Sequence, residues 1–264
     1  VIILSNKSND FLNSTGKVLD IVPNVYADLA QPAAKEVGKT VSLIPRIINA
    51  ALAPLRQWIV TKEYNIKETE ALLAKKLENV NADRIVSPEP YVAVPAFEAI
   101  SYSMDSKELR ELFANLLSKS MYADTKNDVH PSFTDVIKQL SPLDAQVFKY
   151  LFECKYRPII ELKLNLPNNE GFYPLMSNIT DISIGTVESI GISLSNLKRL
   201  NLIDISYSNF YTNDKLYEPL LKTEFVNTQK STYEKAPYEF DFNKGKIDIT
   251  DFGKLFYRIC VQSL

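Results

Sequence analysis

Residues 24–60 carry the feature that most limits what this chain can become. Apolar side chains recur at Val25, Leu29, Ala33, Val37, Val41, Ile44, Ile48, Leu52, Leu55 and Ile59, in steps of three or four. Side chains so spaced share one face of an α-helix. Pro32, Pro45 and Pro54 interrupt the run without ending it, so the expected element is one long, Pro-kinked helix. At about 1.5 Å per residue it would span on the order of 55 Å, whereas roughly 20 residues already cross a small domain. Part of the stripe, at Ile44, Ile48, Leu52 and Leu55, is therefore expected to outrun its own core and to bind a partner. A homodimer is the simplest solution, because a two-fold axis lets one apolar patch cover itself. Membrane binding through residues 41–60 is the alternative, and it is not favoured: Arg46, Asn49 and Arg56 are costly in a bilayer.

The rest of the composition closes off several classes. A length of 264 residues accommodates one large domain or two, and a 45% hydrophobic share is enough for a sizeable core. A formal charge of −2 argues against a strongly basic nucleic-acid binder while leaving room for local patches. Cys154 and Cys260 make neither a disulfide framework nor a structural zinc site, and are expected as reduced thiols of a cytoplasmic protein. With seven glycines and no GxGxxG or GxxxxGK[ST], no phosphate-cradling loop is expected, and no cofactor. The chain opens on Val1 with no initiator methionine and no basic-flanked signal peptide, so the natural chain is expected to begin earlier.

Helical patterns fill the first half at 5–20, 24–60, 62–79, 92–103, 106–122 and 131–139. In the helix capped by Asp105 and Ser106, Leu109, Leu112, Phe113, Leu116, Leu117 and Met121 form an apolar face. Between helices, DRIVSPEPYVAVP holds Pro88, Pro90 and Pro95 and is expected to be extended. Several runs here form a family pattern: DLAQPAAKEVGKT followed by ALAPLR, then ADRIVSPEP, ELRELFANLLSKSM and HPSFTDVIKQLSPLDA. Together they resemble the Abi-alpha family, bacterial proteins of otherwise undefined function linked by name to abortive phage infection. The resemblance covers residues 26–146 and implies an antiphage role.

Near residue 141 the grammar changes. DAQVFKYLFEC is an amphipathic helix capped by Ser141-Pro142, and ESIGISLSNLKRLNLIDIS is a helix that runs into a strand. YEFDFNKGKIDITDFGKLFYRICV reads as two strands turning at Asn243-Lys244-Gly245, then a closing helix. That order is similar to a winged helix, with a recognition helix at 186–200. Lys198 and Arg199 are its only basic residues, so duplex DNA binding is expected to be weak or absent.

No catalytic constellation is visible. His130 is the only histidine and is read as hydrogen-bonded near a helix start, not as a base paired with Asp124 or Asp128. Glu108 with Glu111, and Glu68 with Glu70, lie on solvated helix faces, and no metal-ligand set presents itself. Tyr207, Phe210, Tyr211, Tyr217, Phe225 and Tyr233 offer rings that stack on bases or, as the preferred reading, fill a core and an interface.

The expected fold class is mainly α. A helical N-terminal Abi-alpha-like domain (1–140) with the long Pro-kinked helix precedes a winged-helix-like α+β domain (141–264). The expected function is a cytoplasmic antiphage protein that binds or senses a protein of phage or host. The alternatives are a winged-helix transcription regulator working through Lys198 and Arg199, a membrane-active effector working through 41–60, and an enzyme with an unfamiliar site around His130.

Overall fold

The computed structural model describes residues 40–53, 63–103 and 105–264. The chain divides into two compact units. One joins the described residues up to Ser101 to Leu117–Val129 and Leu264; the other joins Tyr102–Leu116 to His130–Ser263.

In the first unit, α1 (Thr40–Leu52) packs against α2 (Glu63–Lys76). Ile44, Ile48 and Leu52 lie four apart on one face of α1; Leu73 on α2 and Leu77 just past its end are likewise four apart, and all five are buried. A short 3-10 turn, Ala82–Arg84, leads into an extended segment that forms a bridge between Ile85 and Tyr122. Val86 N–H donates to the Met121 carbonyl at 2.8 Å, and Ala123 N–H to the Arg84 carbonyl at 2.9 Å. The Arg84–Asp124 ion pair and the 2.8 Å Lys126–Glu89 pair flank this bridge. Helix α3 (Pro90–Tyr102) starts at Pro90, whose missing N–H is no loss in a first turn. The extended linker expected through Pro95 therefore ends five residues earlier, with Pro95 inside α3.

The second unit contains α4 (Lys107–Ser120) as far as Leu116, α5 (Ser132–Lys138), α6 (Pro142–Glu153) and the antiparallel strands β1 (Pro158–Asn165) and β2 (Phe172–Ile179). It continues through α7 (Val187–Arg199), β3 (Ile203–Ser206), α8 (Glu218–Leu221), α9 (Glu224–Tyr233), β4 (Glu239–Ile249) and α10 (Asp251–Phe256), and ends in a π-helical turn at Tyr257–Val261. The sheet runs β2-β1-β4-β3, every neighbour antiparallel.

Local chemistry sets the element ends. Ser141 and Asp144 form a capping box on α6, each side chain bonding the other's N–H, at 3.1 and 2.7 Å. Helix α7 is closed by Asn201, two residues past its end, which takes the left-handed φ of 58°. Asn201 N–H donates to Lys198 and Leu202 N–H to Leu197, the two bonds of a Schellman motif closed by the buried Leu197 and Leu202. On one face of the sheet, Ile160, Leu162 and Ile179 pack with Tyr217, Leu220 and Val226. A separate ring cluster joins Phe133, Phe148 and Phe256 at centroid distances of 5.4 and 5.8 Å.

The mainly α class and the winged helix do not stand. The fold is mixed α/β around a four-stranded sheet, and β1 and β2 belong to no winged-helix plan. Asn243-Lys244-Gly245 is no hairpin turn: it lies inside β4, where Asn243 pairs with Glu161 and Gly245 with Ile159. Gly245 is needed for closeness and not for turning, since a Cβ there would stand 2.6 Å from the Ser206 carbonyl oxygen. A helical N-terminal domain is not supported either. Of the long Pro-kinked helix expected over 24–60, only Thr40–Leu52 lies within the described residues.

Candidate functional site

The surface with the most chemistry on offer forms where α6 meets β1. The Arg157 guanidinium donates to the carbonyls of Leu151 and Phe152, which the last turn of α6 leaves without helical partners. That pins the Cys154–Arg157 segment and turns Tyr156 outward. Arg157 N–H donates to the Tyr211 hydroxyl at 3.2 Å, and Tyr211 N–H to the Tyr217 hydroxyl at 2.9 Å. The Tyr217 hydroxyl donates in turn to the Gly245 carbonyl at 2.9 Å. Burial pushes the Tyr217 phenol upward, so it stays neutral and keeps donating. The tyrosine hydroxyls thus bind the loop 207–217 to β4, with the Tyr217 ring buried and the Tyr156 ring left partly exposed.

Cations line that surface. Tyr156 meets Tyr211 edge to face at 5.5 Å and carries the Lys155 ammonium 5.2 Å from its ring centroid. Among the described residues no carboxylate pairs with Lys155. Lys244 sits 5.8 Å from the Tyr217 centroid and pairs with Asp214 at 2.7 Å. Lys246 pairs with Asp248 at 2.8 Å, and that carboxylate holds its ammonium above the ordinary lysine range. Tyr156 is 47% exposed and Phe210, next to Tyr211 in the chain, 51%.

A second polar cluster is closed on itself. Glu161 accepts from Ser177 Oγ at 2.6 Å and from Asn243 Nδ2 at 2.9 Å. The Tyr207 hydroxyl accepts the Asn178 N–H at 2.9 Å and donates to Asn178 Oδ1 at 3.2 Å. Burial pushes the Tyr207 phenol up to about 12, with the Glu161 charge adding to the rise and the Asn178 N–H opposing it. These bonds hold β1, β2, β4 and the Tyr207 loop together.

The expected site residues fall apart. Ile44, Ile48 and Leu52 are 9%, 1% and 2% exposed. Leu55 lies outside the described residues. Lys198 donates to the Ile205 carbonyl at 2.9 Å and pairs with Asp204 at 3.7 Å. Arg199 is held by Asn196 Oδ1 at 2.7 Å and Gln139 Oε1 at 2.9 Å, so its fork is engaged by its own fold. His130 is exposed, accepts the Ser132 N–H at 3.2 Å at the start of α5, and packs against Phe133 and Phe252. Both cysteines are free, and among the described residues no three of His, Cys, Asp and Glu gather as a metal site would need. No helix among them is long and apolar enough to cross a membrane.

Of the six rings singled out from the sequence, the structure brings Tyr211 and Tyr217 together. It leaves Phe210 and Tyr233 exposed, packs Phe225 against the sheet core and places Tyr207 in the polar cluster. Tyr156 was missed. Its signal was the alternation of Lys155, Tyr156 and Arg157 directly after a helix end.

An α/β protein with a four-stranded antiparallel sheet and a tyrosine-lysine surface is the class this geometry defines. The chain belongs to the abortive infection alpha family, whose model matches residues 61–260 and so runs across both halves expected from the sequence. No curated protein and no solved structure matches it.

Proposed function

We propose that this chain is a bacterial antiphage protein of the abortive-infection kind, working in the cytoplasm, and that it acts by holding a partner of phage or host origin. Membership of the abortive infection alpha family over residues 61–260 supports the antiphage role. One observation carries the choice of binding: exposed Tyr156 lies beside Lys155 where hydrogen bonds fix the backbone and leave the ring available. Such rings lose little conformational entropy on contact, which suits them to recognition.

The test is phage challenge of a bacterial host expressing the full natural chain, with and without Tyr156→Ala and His130→Ala. The expected result is fewer plaques for at least one phage, a loss of that protection with Tyr156→Ala, and its retention with His130→Ala. Loss of protection in His130→Ala with an unchanged melting temperature would defeat the binding reading in favour of chemistry at His130.

A further inference from the structure

We infer that the cavity at the far end of β1 takes the guanidinium of an arginine side chain carried by a protein partner. The site is separate from the Tyr156 surface: Tyr156 lies just before β1, and the cavity begins at the last residue of that strand, Asn165. The strand between them sets the two roughly 25 Å apart.

Register builds the site. Asn165 pairs with Phe172 on β2 and with Glu239 on β4, so the three side chains stand in one row across the sheet. A short residue between two longer ones, with strands about 4.8 Å apart, makes a slot. The β1–β2 hairpin borders it, held by Leu166 N–H donating to the Gly171 carbonyl at 2.9 Å. Pro167 and Pro237 add apolar walls to a cavity of about 500 Å³. Its walls are exposed or half-buried, so a partner reaches it from solvent.

The groups left unused select the occupant. Lys163 pairs with Asp241 at 3.3 Å and lies 5.1 Å from the Phe172 centroid, so these two charges cancel. Asn165 donates its amide to the same carboxylate at 3.1 Å, which leaves its carbonyl oxygen to accept from a ligand. Glu239 is the one charged residue among the described residues that line the cavity, and none of the described cations pairs with it. Phe172 is 47% exposed and keeps ring surface for a further contact. A carboxylate, a carbonyl oxygen and a ring in one row suit a flat cation rich in donors. A guanidinium stacks its plane on the ring while its N–H fork reaches Asn165 and Glu239. An ammonium is a point charge and meets only part of this set. Free arginine fits worse than arginine within a chain, because its own carboxylate would meet Glu239 with no lining cation to hold it.

Two-dimensional amide NMR on the full chain tests this. The probes are N-acetyl-arginine methylamide, its lysine and citrulline counterparts, and free arginine; citrulline keeps the shape of arginine and lacks its charge. The expected result is saturable shifts at Asn165, Gly171 and Glu239 with the blocked arginine, weaker binding of lysine and free arginine, and none of citrulline. Glu239→Gln and Phe172→Leu should each weaken arginine binding about 2–5-fold, the factor of one exposed ion pair or cation–π contact. Both side chains are exposed, and thermal melts verify that each variant is folded. Citrulline or lysine bound as well as arginine, shifts spread over acidic residues elsewhere, no binding at all, or two variants that bind like the wild type would each overturn the inference. Free arginine bound more tightly than the blocked form would also overturn it, in favour of a small molecule. Loss of phage protection in Tyr156→Ala bears on the proposed function alone, since Tyr156 lies outside this cavity.

Discussion

Gly253 has almost no freedom to change. A Cβ there would stand 2.0 Å from the Leu202 carbonyl oxygen, a backbone atom that α7 and β3 hold in place. Gly253→Ala should therefore destabilise by at least the roughly 1–3 kcal/mol typical of overpacking, read from urea unfolding. Leu116 makes the opposite case: it is fully buried, and Leu116→Ala should cost about 2–5 kcal/mol by the same measurement. A cost under about 0.5 kcal/mol, the range of surface changes, would contradict its place in the core. Of the apolar face expected around it, Phe113 and Leu117 are equally buried while Leu109 is only half-buried. Tyr207 ties stability to alkaline pH. Its phenol is pushed from 10.0 to about 12, so the folded state favours the neutral form. That stability is fully present below about pH 10, where both states are protonated, and is lost as pH rises through about 12. Unfolding free energies measured across this window should fall less steeply for Tyr207→Phe than for the wild type.

At the scale of elements, Ser141 and β4 give the clearest tests. Removing one half of the α6 capping box by Ser141→Ala should cost about 0.5–2 kcal/mol in thermal or denaturant unfolding. The amides of Asn243–Gly245 that point at β1, within a stretch of β4 paired with that strand, should exchange hydrogen slowly; turn-like rapid exchange there would restore the hairpin reading. Periodicity made most helices legible: those at 63–76, 107–120, 132–138, 142–153 and 187–199 sit where their apolar spacing and caps put them. The sheet was harder. In β1, Ile160, Leu162 and Leu164 alternate with Glu161 and Lys163, a strand pattern that was there to be read. β2 hides itself, because Pro174 and the left-handed Asn178, with its register shifts, break the period of two. Gly245 misled because a glycine kept for close approach reads in sequence like a glycine kept for a turn. The candidate surface was half legible for a similar reason. Tyr211 and Tyr217 stood out as a local cluster, but nothing in a linear chain brings Tyr156 to within 5.5 Å of Tyr211.

At the scale of the whole molecule, the family's name suggests abortive infection, in which an infected cell stops before phage are released. The direct measurement is a one-step growth experiment at a multiplicity high enough to infect every cell, in hosts with and without the full natural chain, counting released phage and surviving cells together. Abortive infection predicts that cells carrying the protein die or stop dividing about as often as cells without it, yet release far fewer particles. Infected cells that survive and divide, or an undiminished burst, would contradict the account.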